Sequence, residues 1–147
     1  MVIDQQNLFS DSQLITTSAN STNVIDNLGN QVLPTAMVAQ PIGVFARVLQ
    51  AFAGGTSLQI AVVSADDAAL TTNVVTHFQT TAIATVALAA GSLALGVHVP
   101  PQKLRKYLGL KYTVVGTMTS GSILAGLAED IDTVMKPTDF GSGYAVL

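Results

Sequence analysis

Cysteine and tryptophan are absent from this sequence of 147 residues, and charge is scarce. Without cysteine there is no disulfide, no thiolate metal site and no cysteine nucleophile. Aromatic residues make up only 5% of the chain, which leaves little material for stacking on sugars. Six basic residues face nine acidic ones, for a net charge of −3, a balance that argues against nucleic acid as the main partner. Charged residues amount to 10% against 49% hydrophobic, where ordinary domains carry about 25% charged residues. A surface so poor in charge belongs either to a membrane protein or to a protein covered by other protein.

The sequence weighs against the membrane. Residues 68–102 contain no Asp, Glu, Lys or Arg, yet Thr71, Thr72, Asn73, Thr76, His77, Gln79, Thr80, Thr81 and Thr85 interrupt them, and Gly91 and Gly96 break the rest. A spanning helix needs about 20 mostly apolar residues in a row. The opening MVIDQQNLFSD has no basic or apolar region of the kind that makes a signal peptide. Extensive protein–protein contact is the expectation that remains.

What is there is strand pattern. Ile42 to Ala53 alternates Val44, Ala46 and Val48 with Phe45, Arg47 and Leu49, so both faces are partly apolar. Ser57 to Ser64 alternates Leu58, Ile60 and Val62 with polar and small residues, and Gly54-Gly55 between the two runs predicts a hairpin. Ser64 and Asp67 have the spacing of a capping box and predict a short helix over 65–70. Strands are expected near 24–25, 74–79 and 82–89, and from Leu93, Leu95 and Val97 up to the stop at Pro100-Pro101. Leu108, Leu110, Tyr112 and Val114 form a further alternating run. A turn is expected at 119–122 and a last strand over 123–128, ending in Glu129, Asp130 and Asp132. Short strands punctuated by turn signals every 8–12 residues or so predict an all-β antiparallel sandwich. The domain is read as residues 1–147, with 1–23 a polar N-terminal arm and 133–147 a C-terminal extension.

The residues offer no catalytic constellation. His77 and His98 are the only histidines, and each reads as a surface residue on a strand. Serine and aspartate are plentiful enough for a triad on paper, but there is no nucleophile elbow. Glu129, Asp130 and Asp132 lack the glycine-punctuated loop of a calcium site and read as a solvated strand end. No metal, cofactor or enzymatic activity is expected. The basic run is more informative: Lys103, Arg105, Lys106 and Lys111 are four of the six positive charges, and on a strand Lys103, Arg105, Tyr107 and Lys111 share one face. That face is either plainly solvated or a dock for an acidic protein surface, since Arg and Tyr are favoured at interface hot spots.

Several segments together carry a family resemblance: FSDSQLIT at 9–16, STNVID at 21–26, VPP at 99–101, KYLGLKYTV at 106–114, SILAGL at 122–127 and SGYAV at 142–146. In this order they resemble the capsid cement (decoration) proteins of short-tailed bacteriophages, while residues 30–90 share only the general character. The resemblance implies a jelly-roll-like β-sandwich with polar terminal arms. It implies a virion protein, made in the host cytoplasm, that binds the outer surface of the major capsid protein shell and clamps neighbouring capsomers. It also implies a homo-oligomer, a dimer before a trimer, with no nucleic-acid or membrane partner. The expected contact residues are Leu8 and Phe9 in the N-terminal arm, Lys103, Arg105, Tyr107 and Lys111 in the basic run, and Phe140 and Tyr144 near the C-terminus. The rival expectation is a carbohydrate- or ligand-binding β-sandwich module of a phage fibre or surface protein.

Overall fold

The computed structural model describes residues 4–26, 43–98 and 104–128. Among them the alternating runs become ten strands: β1 (Leu8–Leu14), β2 (Ala19–Asn20), β3 (Ile25–Asp26), β4 (Gly43–Gly54), β5 (Ser57–Ala65), β6 (Val75–Gln79), β7 (Ile83–Ala84), β8 (Leu93–His98), β9 (Tyr107–Val115) and β10 (Met118–Ala128). Two short 3₁₀ turns, Gln5–Asn7 and Thr85–Ala87, complete the regular structure.

Every strand pairing is antiparallel. One sheet has the order β1-β10-β4-β8; the other has β2-β9-β5-β6, with β3 also on β9 and β7 also on β5. The pairs β1·β10, β2·β9, β4·β8 and β5·β6 nest inside one another along the chain. A long antiparallel ribbon has been rolled so that successive sections fall in opposite sheets, which is the connectivity of a jelly roll. The chain is therefore an all-β jelly-roll sandwich, as its strand pattern predicts.

The period of two explains the core. Val44, Ala46 and Val48 of β4 meet Leu58, Ile60 and Val62 of β5, Leu108, Leu110 and Tyr112 of β9, and Ile123 and Ala125 of β10 in one buried cluster. The alternate residues are not all solvated. Phe45 packs outside the first sheet with Leu8, Ala128, Leu93 and Leu124, while Ala61, Val63 and Ala65 pack outside the second with Leu70, Val24 and Tyr107. This second layer of burial is why β4 and β5 read as apolar on both faces.

Several expectations are corrected. Gly54-Gly55 does not close a hairpin, because β4 and β5 lie in different sheets. The glycines form a corner between layers, with φ of +70° and +55°. There the Thr56 N–H donates to the Val115 carbonyl of the β9–β10 corner at 2.8 Å. Residues 119–122 are not a turn: β10 runs straight through them, and Gly121 is present because a Cβ would overlap the Phe52 ring. The Ser64–Asp67 segment starts no helix. The Asp67 carboxylate instead accepts from Thr71 N and Thr72 N (2.9 and 2.7 Å) and from the Thr71 hydroxyl (2.7 Å), closing the β5–β6 connection. Of the strand expected over 82–89 only Ile83–Ala84 pairs; residues 85–87 form the 3₁₀ turn.

The largest correction concerns the N-terminal arm. Within 1–23 the chain forms β1 and β2, Phe9 is fully buried and Ile15 lies in the core. Side-chain burial outweighs the polar composition of the segment, because β1 needs only one apolar face. The Pro34–Pro41 segment, Pro100-Pro101, the acidic end at 129–132 and the extension 133–147 lie outside the described residues.

Candidate functional site

The two corners stack β10 over β9 and β4 over β5, so β1 comes to lie beside β2 and β3, and β8 beside β6. This sorts the charge. Asp11 on β1, Asp26 on β3 and Lys106 and Lys111 at β9 gather on one side of the sandwich. The strands β6, β7 and β8 on the opposite side carry no charged residue.

The basic run does not form one positive face. Lys103 lies outside the described residues. Arg105 precedes β9, and its Nη1 contacts both carboxylate oxygens of Asp66 at 2.9 and 3.0 Å, so its charge is balanced within the chain. The Arg105 Nε is buried without a hydrogen-bond partner. Lys106 sits 5.0 Å from the centre of the Tyr107 ring, a cation–π contact. Tyr107 is half-buried against Ala61, Val63 and Leu70. Lys111 alone among the expected basic contacts is exposed with no ion pair printed to any carboxylate, and it stands across from Ala61 and Asn20. The clustering in sequence is undone because a strand end, a connection and two strand faces share those nine residues.

Leu8 and Phe9 serve the molecule's own packing. Phe9 belongs to the central core and Leu8 to the layer around Phe45. Phe140 and Tyr144 lie outside the described residues.

One polar cluster was not legible in the sequence. The register of β5 and β6 shifts between Val62↔Phe78 and Val63↔Thr76, leaving His77 as the extra residue of a bulge. The bulge brings His77 Nε2 to 2.6 Å from the Ser64 hydroxyl, so His77 is not a free surface residue. Ser64 Oγ also accepts the Arg105 backbone N–H at 3.1 Å. With the imidazole neutral and its proton on Nδ1, Ser64 donates to Nε2 and all three groups are satisfied. Ser64 is closed to solvent, so this pair pins the start of β9 to β6 and does not present a nucleophile. Beside it, the Asn73 amide and the Arg105 guanidinium hold the Asp66 carboxyl below the usual carboxylate range. The Thr71 hydroxyl, with the Thr72 and Thr71 amides, does the same for Asp67. Among the described residues no group of three or more His, Cys, Asp or Glu could hold a metal ion, and no helix is long and apolar enough to cross a membrane.

What the surface does offer is apolar area on the uncharged side. Val74, Val75 and Phe78 are exposed along β6, and Val86 projects from the 3₁₀ turn after β7. Scattered single apolar residues are ordinary on a protein surface; three within five residues on one edge strand are a site for contact.

No curated protein is significantly similar to the sequence. A family model described as Bbp16 matches residues 9–127, from the second residue of β1 to the last but one of β10, and the chain belongs to the Bbp16 family.

Proposed function

We propose that this Bbp16-family chain is a structural virion protein, a capsid cement protein of a short-tailed bacteriophage. It would bind the outer surface of the major capsid protein shell and clamp neighbouring capsomers. The observation that carries the reading is the ordered set of resembling segments. FSDSQLIT, STNVID, KYLGLKYTV and SILAGL fall on β1, β3, β9 and β10, which are paired neighbours, β1 with β10 and β3 with β9. The resemblance is thus concentrated in one contiguous part of the sandwich. A jelly roll is a fold that capsid domains use, and the scarcity of charge suits a protein that spends its working life against other protein.

The mechanism is mass action. A protein that binds the assembled shell and not its separated subunits stabilises the assembly by RT ln(1 + [L]/Kd), about 2.7 kcal/mol per site at 100 times Kd. Repetition over a lattice adds effective concentration to contacts that are individually weak.

The test is co-sedimentation of the purified chain with undecorated shells, followed by heating. Saturable binding and a higher temperature of shell disruption are expected. Shells that pellet without the protein at every concentration would sink the reading. The rival reading, a carbohydrate- or ligand-binding module, draws on the same topology, since lectin domains are jelly rolls too. A positive glycan array combined with no shell binding would put it first.

A further inference from the structure

We propose that the uncharged edge at β6 is the surface on which a second copy of this chain docks, β6 pairing antiparallel with its counterpart about a two-fold axis. The inference rests on the homo-oligomer part of the reading above and not on attachment to a shell.

β6 is the last strand of its sheet, so one of its rims has no partner strand among the described residues. Natural sheets block such rims with lysine, proline or inward-pointing charge. β6 reads VTHFQ and has none of these. Its one irregularity, the bulge at His77, turns that ring to Ser64 and leaves Val74, Val75 and Phe78 at the surface.

The side chains along β6 point to an unfinished seam. Phe78 stands opposite Val62, and Val75 opposite Ser64. Residues directly across a ladder project to the same side of the sheet. Val62 and Ser64 face inward and are closed to solvent, yet their neighbours Phe78 and Val75 remain 37% and 38% exposed. Apolar side chains directed to the interlayer side are left open because the sandwich ends there.

The choice of a second copy follows from charge and symmetry. Residues 68–102 contain no Asp, Glu, Lys or Arg, so two copies meeting along β6 bring no like charges together. Antiparallel pairing of one strand with itself is closed by a two-fold axis and is self-limiting. The remaining rims fit this less well: β1 carries Asp11, and β3 is two residues long and carries Asp26. The rim of β8, also uncharged, lies on the same side as β6 and would join the same contact.

The absence of cysteine makes the test clean. Thr76→Cys, on exposed β6, should give a disulfide-linked dimer under mild oxidation, whereas Leu14→Cys, on exposed β1, should stay monomeric on a denaturing gel. Sedimentation equilibrium of the unmodified chain, without any shell, should give twice the chain mass. Phe78→Lys should weaken that association at least tenfold and Leu14→Lys should leave it unchanged, with far-ultraviolet circular dichroism confirming that each variant is folded. A chain monomeric at all concentrations, or cross-linking at position 14 in place of 76, overturns the proposal. Loss of shell binding with the dimer intact would count against the cement reading and leave this one standing.

Discussion

Ser10 has one hydroxyl proton, and it goes to Gln13 Oε1 at 2.6 Å, an oxygen that also accepts the Thr22 N–H. The Tyr112 hydroxyl, 2.7 Å from Ser10 Oγ, is therefore the donor in that contact. The link crosses the sandwich, from β1 in one sheet to β9 in the other. Burial pushes the Tyr112 phenol above its usual range, against the pull of the Ser10 hydrogen bond. Removing either partner has unequal consequences. Tyr112→Phe leaves Ser10 its bond to Gln13 and should cost about 0.5–1.5 kcal/mol. Ser10→Ala strands a buried phenol donor and should cost about 1–3 kcal/mol. Urea denaturation of both variants checks the order; Tyr112→Phe proving the more damaging would mean the proton runs the other way.

At the scale of elements, β1 decides how the N-terminus is understood. Its bulge, with Ser12 at a φ of +52° between Ser10↔Ala125 and Gln13↔Ile123, brings Gln13 back onto Ser10. Its inward residue Phe9 is in the core, as is Ile15 just beyond it. Losing Phe9 and Ile15 removes side chains worth about 2–5 kcal/mol each, against a whole-domain stability of about 5–15 kcal/mol. Deleting residues 1–15 should therefore abolish cooperative folding, and a truncated chain with a sharp urea transition would show the strand to be dispensable. The segment reads as an arm because FSDSQLI contains only three apolar residues. Nothing local reveals that β10 is waiting to pair with it.

For the molecule as a whole, acid is the informative stress. Asp66 and Asp67 have carboxyl groups held below their ordinary value of 3.8 in the folded chain. The stability they contribute is present above that value and is lost as pH falls through the lowered folded values. Urea midpoints should accordingly be level near neutrality and fall below about pH 4, and Asp67→Asn should flatten part of that fall. An unchanged profile in the variant would remove Asp67 as a contributor. Both groups are exposed, so the effect should be modest and weakened by salt for the Asp66–Arg105 pair.

The sequence by itself determined that the chain is an all-β sandwich, because the period of two in β4, β5, β9 and β10 writes the core face directly into residue order. It also determined the lack of thiol chemistry and the poverty of charge. Only the tertiary structure decided which strands pair and which corners separate sheets. Gly54-Gly55 can close a hairpin or turn between layers, and β10 settles the matter by taking the place beside β4. Only the structure broke up the basic run, since Asp66 is distant in sequence from Arg105 and joins it through the fold. In the same way it placed the uncharged residues on one rim of the sandwich. Local pattern fixes which face of a strand is buried; non-local pairing fixes what each strand lies beside, and the surface available for contact follows from the second.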